Sequence, residues 1–235
     1  MPVTLFYSPD ILINPQLTEN ESQHCAKVLR MQIGEELIVT DGNGSFYNCI
    51  LVDNHPKHCT VSINNRLEIK RSRDFYLQIA FAPTKQLDRN EWFVEKATEI
   101  GIDRFTPFIS TYSERKEIKN ERLQKIAISA MKQSRQAYLP LIDKYIQFDK
   151  FITLPFNGRK FIAHCYDLPK KPLIQTYKKG DNSLILIGPE GDFSEEEVTK
   201  AIKSGFEPVS LGNTRLRTET ACFVAAHSIH VINNS

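Results

Sequence analysis

The chain has 235 residues, 41% of them hydrophobic, and a formal net charge of +2, which provides core material for one or two domains and excludes a bulk polycation. No apolar run approaches the ~18 residues a membrane span needs, and the opening stretch Met1-Pro-Val-Thr-Leu-Phe-Tyr7 lacks the charged and apolar regions of a signal peptide. The cysteines at 25, 49, 59, 165 and 222 are scattered, odd in number and without a C-x-x-C pair, which points to reduced cytosolic thiols rather than a disulfide framework or a zinc site.

The N-terminal third reads as β. Lys27 and Arg30 lie three apart on a short helical turn, a spacing that could meet successive phosphates. Leu37–Thr40, the turn Asp41-Gly-Asn-Gly44 and Phe46–Val52 follow as strand, turn, strand, and Thr60–Ile63 adds another short strand. Small strands joined by turns suggest a compact barrel over residues 1–70. A polar, basic linker lies at about 64–74, and within it Arg66–Arg73 has four cations against one anion, Glu68. It separates the barrel from a second domain over 75–235.

The second domain alternates strand and helix. Phe75–Phe81 is a strand, and a helix from about Asp88 puts Phe93, Ala97 and Ile100 on one face and stops at Gly101. Phe105–Ile109 is a strand, and Asn120 caps a helix carrying Leu123, Ile126, Ala127 and Ala130. Between Arg115 and Arg135 seven cations stand against Glu117 and Glu121, a cluster that suits either a solvated helix face or a surface for a phosphate backbone. Phe161–Ala163 is another strand, ending at His164. Such alternation argues for an α/β parallel sheet.

Two segments near the C-terminus carry the most chemistry. Ser183–Ile187 is a buried strand stopped by Gly188-Pro189, and Ser194 with Glu197 forms a capping box for the next helix. Pro208–Leu211 is a strand that breaks at Gly212 and enters a helix near Thr218. Both loops then leave the carboxyl ends of parallel strands, the edge where open α/β sheets bind ligands. Gly188-Pro-Glu-Gly191 is neither a Walker A loop nor G-x-G-x-x-G, and Glu190 would repel a phosphate. A cationic or zwitterionic nucleoside suits such a loop, while a pair of ordinary βα turns is the plain structural alternative. His227 and His230, three apart on the last helix, lack a carboxylate or cysteine at ligand spacing and read as surface or interface residues, not as metal ligands.

These residues resemble the RsmE family of 16S ribosomal RNA uridine-N3 methyltransferases, in the SPOUT superfamily. The resemblance rests on Gly188-Pro-Glu-Gly191 with Phe193-Ser194, and on Leu211-Gly212 with Leu216-Arg-Thr-Glu-Thr-Ala221. Three further segments match: His24-Cys-Ala-Lys-Val-Leu-Arg-Met31, Glu95-Lys-Ala-Thr-Glu-Ile-Gly101, and Thr106-Pro-Phe108 with Ser113-Glu-Arg115.

The resemblance implies a PUA-like RNA-binding β-barrel followed by a trefoil-knotted SPOUT domain, working as a cytoplasmic homodimer without metal or membrane. It implies S-adenosylmethionine as cofactor and a uridine of 16S rRNA in the small ribosomal subunit, the family's U1498, as substrate. His164, Leu186, Gly188, Glu190, Gly191, Leu211, Gly212, Leu216 and Thr218 hold the matching cofactor positions. His24, Lys27, Arg30, Lys85, Arg115 and Gln133 are the RNA-binding candidates. Arg217 is the candidate catalytic residue, orienting the base or stabilising its charge, unless it is a structural arginine bound to loop carbonyls. Glu219 reads as a first-turn carboxylate favoured by the helix dipole. The chain departs from the family at Lys132-Gln133-Ser134-Arg135, where Glu-Gln followed by Gly-Arg is usual, and at Asp192, where a glycine is common. A SPOUT enzyme acting on a ribose 2′-hydroxyl or a tRNA base, and a non-catalytic ribosome-assembly factor, are the alternatives.

Overall fold

The computed structural model describes residues 3–71 and 73–234. They fall into two compact units: residues 1–73 with 128–139, and residues 74–127 with 140–235. The segment 128–139 therefore groups with the N-terminal residues, which a division at 70/75 does not anticipate. Contacts distant in sequence place it there, such as Gly44 N–H donating to the Ala137 carbonyl and Leu139 N–H to that of Gly42.

In the N-terminal unit β1 (Leu5–Tyr7), β2 (Glu36–Thr40), β3 (Ser45–Asp53) and β4 (Thr60–Glu68) form one sheet in that order. The β1–β2 pair is parallel and the other two are antiparallel. These four strands, with Gln16 bridging Thr60, make up the β-rich N-terminal unit that the turn-joined short strands lead one to expect. Ser45, Tyr47, Cys49 and Leu51 are the buried positions of β3, the period of two that lets one face of a strand enter a core. Phe6, Leu37, Val39 and Val61 join Tyr47 and Leu51 in that core. The β2–β3 turn is held by Asp41, whose carboxylate accepts from Asn43 N–H, Ser45 N–H and the Tyr47 hydroxyl. β4 runs to Glu68, so half of the expected linker is strand.

Between β1 and β2 lie α1 (Glu19–Gln23), capped by the Thr18 hydroxyl, and a π-helical turn (His24–Leu29) that ends on Arg30 at φ 54°. Lys27 and Arg30 therefore do not share one face of an α-turn: one sits in the wider π turn, the other in a left-handed residue beyond it.

The second unit is an all-parallel sheet in the order β10 (Lys171–Pro172), β12 (Phe206–Ser210), β9 (Arg159–Ala163), β11 (Ser183–Ile187), β5 (Leu77–Phe81), β6 (Arg104–Ile109), β7 (Leu141–Ile142), with β8 (Ile146–Gln147) also on β6. Every residue of β5 and β11 is buried, as continuous apolar strands covered on both faces should be. Helices α2 (Leu87–Ile100), α6 (Glu195–Lys203) and α7 (Thr218–Asn234) connect or close this unit, with short α4 (Phe148–Phe151) and α5 (Leu173–Thr176). The helix α3 (Asn120–Gln133) begins at Asn120, whose side-chain amide donates to the Asp143 carbonyl. The capping box of α6 is as expected: Ser194 Oγ accepts from Glu197 N–H, and the Glu197 carboxylate from Ser194 N–H. Phe193 packs behind it, fully buried and stacked on Phe108 at 5.9 Å.

Candidate functional site

Parallel register brings the two C-terminal loops together. Ala163 pairs with Ile187 and Val209 with Ala163, so His164, Gly188 and Leu211 leave three adjacent strands at one carboxyl edge. A cavity of about 490 Å³ opens there, within the about 300–1,000 Å³ usual for small-ligand sites.

His164, Leu211, Gly212 and Leu216 line the cavity, together with Cys165, Lys170 and Ile187. Leu186 does not line it. It points into the core and is fully buried, and its neighbour Ile187 takes the cavity side, because alternation along a strand admits only one of the two. The Gly188 carbonyl accepts from the buried Thr218 hydroxyl at 3.1 Å, which ties the two loops together. Glu190 is bound elsewhere, its carboxylate accepting from Lys85 N–H at 3.0 Å. At Gly191 an added Cβ would lie 3.1 Å from the Cβ of Tyr112, so this glycine makes room for Tyr112.

His164 is 6% exposed, and neither ring nitrogen has a hydrogen-bond partner among the described residues. Burial, with Lys170 adding to it, pushes the imidazole below its usual pKa and keeps it neutral. A neutral imidazole offers one donor and one acceptor, and leaving both unpaired in the interior is costly. Such a group in a cavity wall fits a ligand with hydroxyl or ring-nitrogen partners, as a nucleoside cofactor has.

Asp192 accounts for its own departure from the family pattern. It adopts φ 64°, a left-handed backbone that aspartate tolerates. Its carboxylate accepts from Phe193 N–H and, at 2.7 Å, from Cys165 N–H just beyond His164. The residue thereby fastens the first loop to the end of β9.

Arg217 is exposed and its carbonyl accepts from Ala221 N–H in the first turn of α7. Its guanidinium has no hydrogen-bond or ion-pair partner among the described residues. Glu219 is buried with Arg89 Nε 3.6 Å away. Arg115 donates to the carbonyls of Thr84 and Lys85, and the Lys85 ammonium pairs with Glu114 at 2.9 Å. Both RNA candidates therefore hold loops at this edge. His230 bonds the Gly101 carbonyl and His227 stacks on Phe223.

In the N-terminal unit, Lys27 and Arg30 are exposed on and after the π turn, while His24 and Gln133 line a separate cleft with Lys132 and Arg135. Sequence reasoning did not place Cys165, Lys170, Ile187, Asn213, Thr214 or Arg215, among others, around the cavity. Ile187 had a signal, as the last residue of an apolar strand.

A family described as an RNA methyltransferase domain matches residues 71–230, and one described as an RNA methyltransferase PUA domain matches residues 17–64. The chain is similar to the ribosomal RNA small subunit methyltransferase E of Aquifex aeolicus, with 32% identity over 87% of this chain and 89% of that one. The Synechocystis protein of the same name is 28% identical over 100% of this chain and 79% of its own length. Among solved structures, a "probable rRNA-methyltransferase" from Porphyromonas gingivalis superposes with a TM-score of 0.92 and 43% identity over 99% of both chains. A Legionella pneumophila methyltransferase in complex with bound SAM gives a TM-score of 0.85 and 27% identity over 98% of both chains. With an N-terminal PUA-like region, an all-parallel α/β sheet and both family matches in order along its length, this chain belongs to the RsmE family of 16S ribosomal RNA methyltransferases.

Proposed function

We propose that this protein uses S-adenosylmethionine to methylate N3 of a uridine in 16S rRNA of the small ribosomal subunit, acting as a cytoplasmic homodimer. The bound cofactor supplies an electrophilic methyl group on a sulfonium. His164 and the backbone around Leu211, Gly212 and Leu216 would hold the nucleoside part, and the Lys170 ammonium, which also lines the cavity, suits a carboxylate. Thr218 ties the two loops together and Asp192 fastens the first of them to the end of β9, so that the cofactor and the uracil can be aligned; alignment alone supplies a large part of the rate.

Removing the N3 proton leaves negative charge shared with the uracil oxygens. A cation poised there stabilises the anion. The observation that carries the reading is Arg217: an exposed guanidinium without a partner among the described residues, between the cavity-lining Leu216 and the loop-tying Thr218. A structural arginine would be engaged. Lys27 and Arg30 on the N-terminal unit would contact phosphates. Lys85 and Arg115 would act indirectly, by holding loops at the same carboxyl edge as the cavity.

The test is transfer of labelled methyl from S-adenosylmethionine to unmodified small-subunit particles, followed by nucleoside identification. 3-Methyluridine is the expected product. A ribose-methylated nucleoside, or label only in tRNA, would replace the reading with that of a SPOUT enzyme of different target. Cofactor binding with no transfer to any RNA would favour a non-catalytic assembly factor.

A further inference from the structure

The N-terminal unit holds a cleft of about 540 Å³ that no part of the cofactor site uses. Its walls are the residues from Val3 to Leu5, His24, and the end of α3 with Lys132, Gln133 and Arg135. The charges here are not equivalent. Lys132 Nζ lies 2.6 Å from a Glu21 oxygen, with the two side chains 21% and 8% exposed. This pair is largely shielded from water, so Lys132 is neutralised and fixes the last turn of α3 against α1. Arg135 is exposed, and its guanidinium has no partner among the described residues. It is the uncompensated cation of the cleft.

The backbone at Arg135 is unusual as well. Gln136 N–H donates to the Met131 carbonyl and Arg135 N–H to that of Lys132, so α3 ends through Arg135 at φ 53°. A left-handed residue closing a helix in this way is most often glycine, since an L side chain is strained there. A sparsely populated conformation that persists at the cost of strain points to a use for the side chain. Beside it Gln133 is exposed, with an amide that can both donate and accept.

We propose that this cleft binds one unpaired ribonucleotide of the RNA substrate, Arg135 taking its phosphate and Gln133 meeting its base edge, with the Glu21–Lys132 pair holding the wall in place. The proposal rests on the RNA-methyltransferase reading above. The concave site favours a splayed single-stranded nucleotide over a duplex, whose grooves require a protruding reader.

Arg135→Gly separates the two roles of the residue. It removes the cation and relieves the backbone, so the melting temperature should rise, by about 2–4 °C. The KM for small-subunit particles should rise roughly 5–10-fold through loss of a charge-assisted contact. The slope of log affinity against log salt should weaken by about 0.7, one phosphate on a single strand. Turnover at saturating RNA and the affinity for S-adenosylmethionine should be unchanged. Arg135→Ala should show the same KM effect without the gain in stability. Gln133→Ala should raise KM without changing the salt slope. In Glu21→Gln the unpinned Lys132 loosens the wall, and the swapped pair Glu21→Lys with Lys132→Glu should recover KM. Active wild type together with an unaltered KM and salt slope in Arg135→Gly would overturn the subsite alone. Wild type that transfers no methyl to RNA would overturn the functional reading and the subsite with it.

Discussion

Replacing His164 by leucine should stabilise the protein and weaken its cofactor site at once. The side chain is 6% exposed and both ring nitrogens lack partners among the described residues. An unsatisfied buried polar group costs about 1–3 kcal/mol, and an apolar side chain of similar size removes that cost. The unliganded variant should therefore gain about 1–3 kcal/mol in urea denaturation followed by a probe in the second unit. Its affinity for S-adenosylmethionine, measured by calorimetry, should fall roughly 2–12-fold for each hydrogen bond lost.

The pH dependence follows from the same environment. Burial, reinforced by Lys170, lowers the folded-state pKa of His164. The unfolded chain takes up the proton near its ordinary value of about 6.5, the folded chain only at lower pH. Stability linked to the neutral imidazole is then fully present above about 6.5 and is lost as pH falls through that value toward the folded pKa. In His164→Leu the slope of stability against pH in this window should flatten. A variant that is less stable without ligand and binds the cofactor normally would refute the argument, because His164 would then be a packed core histidine with no role toward a ligand.

Three other perturbations test separate parts of the structure. Arg217→Ala should lower single-turnover methyl transfer at saturating cofactor by roughly 10²–10³, with partial recovery in Arg217→Lys; a normal saturated rate with weakened cofactor binding would make it a loop residue. Lys27→Ala with Arg30→Ala should weaken RNA binding and flatten its salt dependence while leaving cofactor affinity unchanged, and an unchanged slope would remove both from the RNA surface. At Gly188 an added Cβ meets the Phe193 ring at 3.1 Å, so Gly188→Ala should cost about 1–3 kcal/mol by overpacking, and combining it with Phe193→Leu should give a less than additive loss in thermal denaturation.

Periodicity and local chemistry made much of this protein legible before its fold was known. The run Ser183–Ile187 is apolar throughout because β11 is covered on both faces. The Ser194–Glu197 box announces the start of α6 because its two hydrogen bonds are local. Once parallel strands are inferred, both Gly-containing loops follow carboxyl ends and so share one edge, and His164, Leu211, Gly212 and Leu216 meet there. Motif order along the chain added the family and, with it, the cofactor and substrate class.

Other features depended on contacts between residues far apart in sequence, which no local pattern encodes. Glu190 accepts from the backbone N–H of Lys85, 105 residues away. Gly191 makes room for Tyr112, and Arg115 for its part closes a loop on Thr84 and Lys85. Six residues are too few for periodicity to distinguish a π turn from an α turn, so the geometry of His24–Leu29 went unread. Hydrogen bonds between Gly42 or Gly44 and the segment after α3 decided that residues 128–139 belong with the N-terminal sheet. Glu21, the partner of Lys132 in the wall beside Arg135, lies 111 positions away from that lysine. Sequence spacing sets which face a residue occupies within its own element, whereas the partner on that face is chosen by the packing of elements that the chain brings together only when folded.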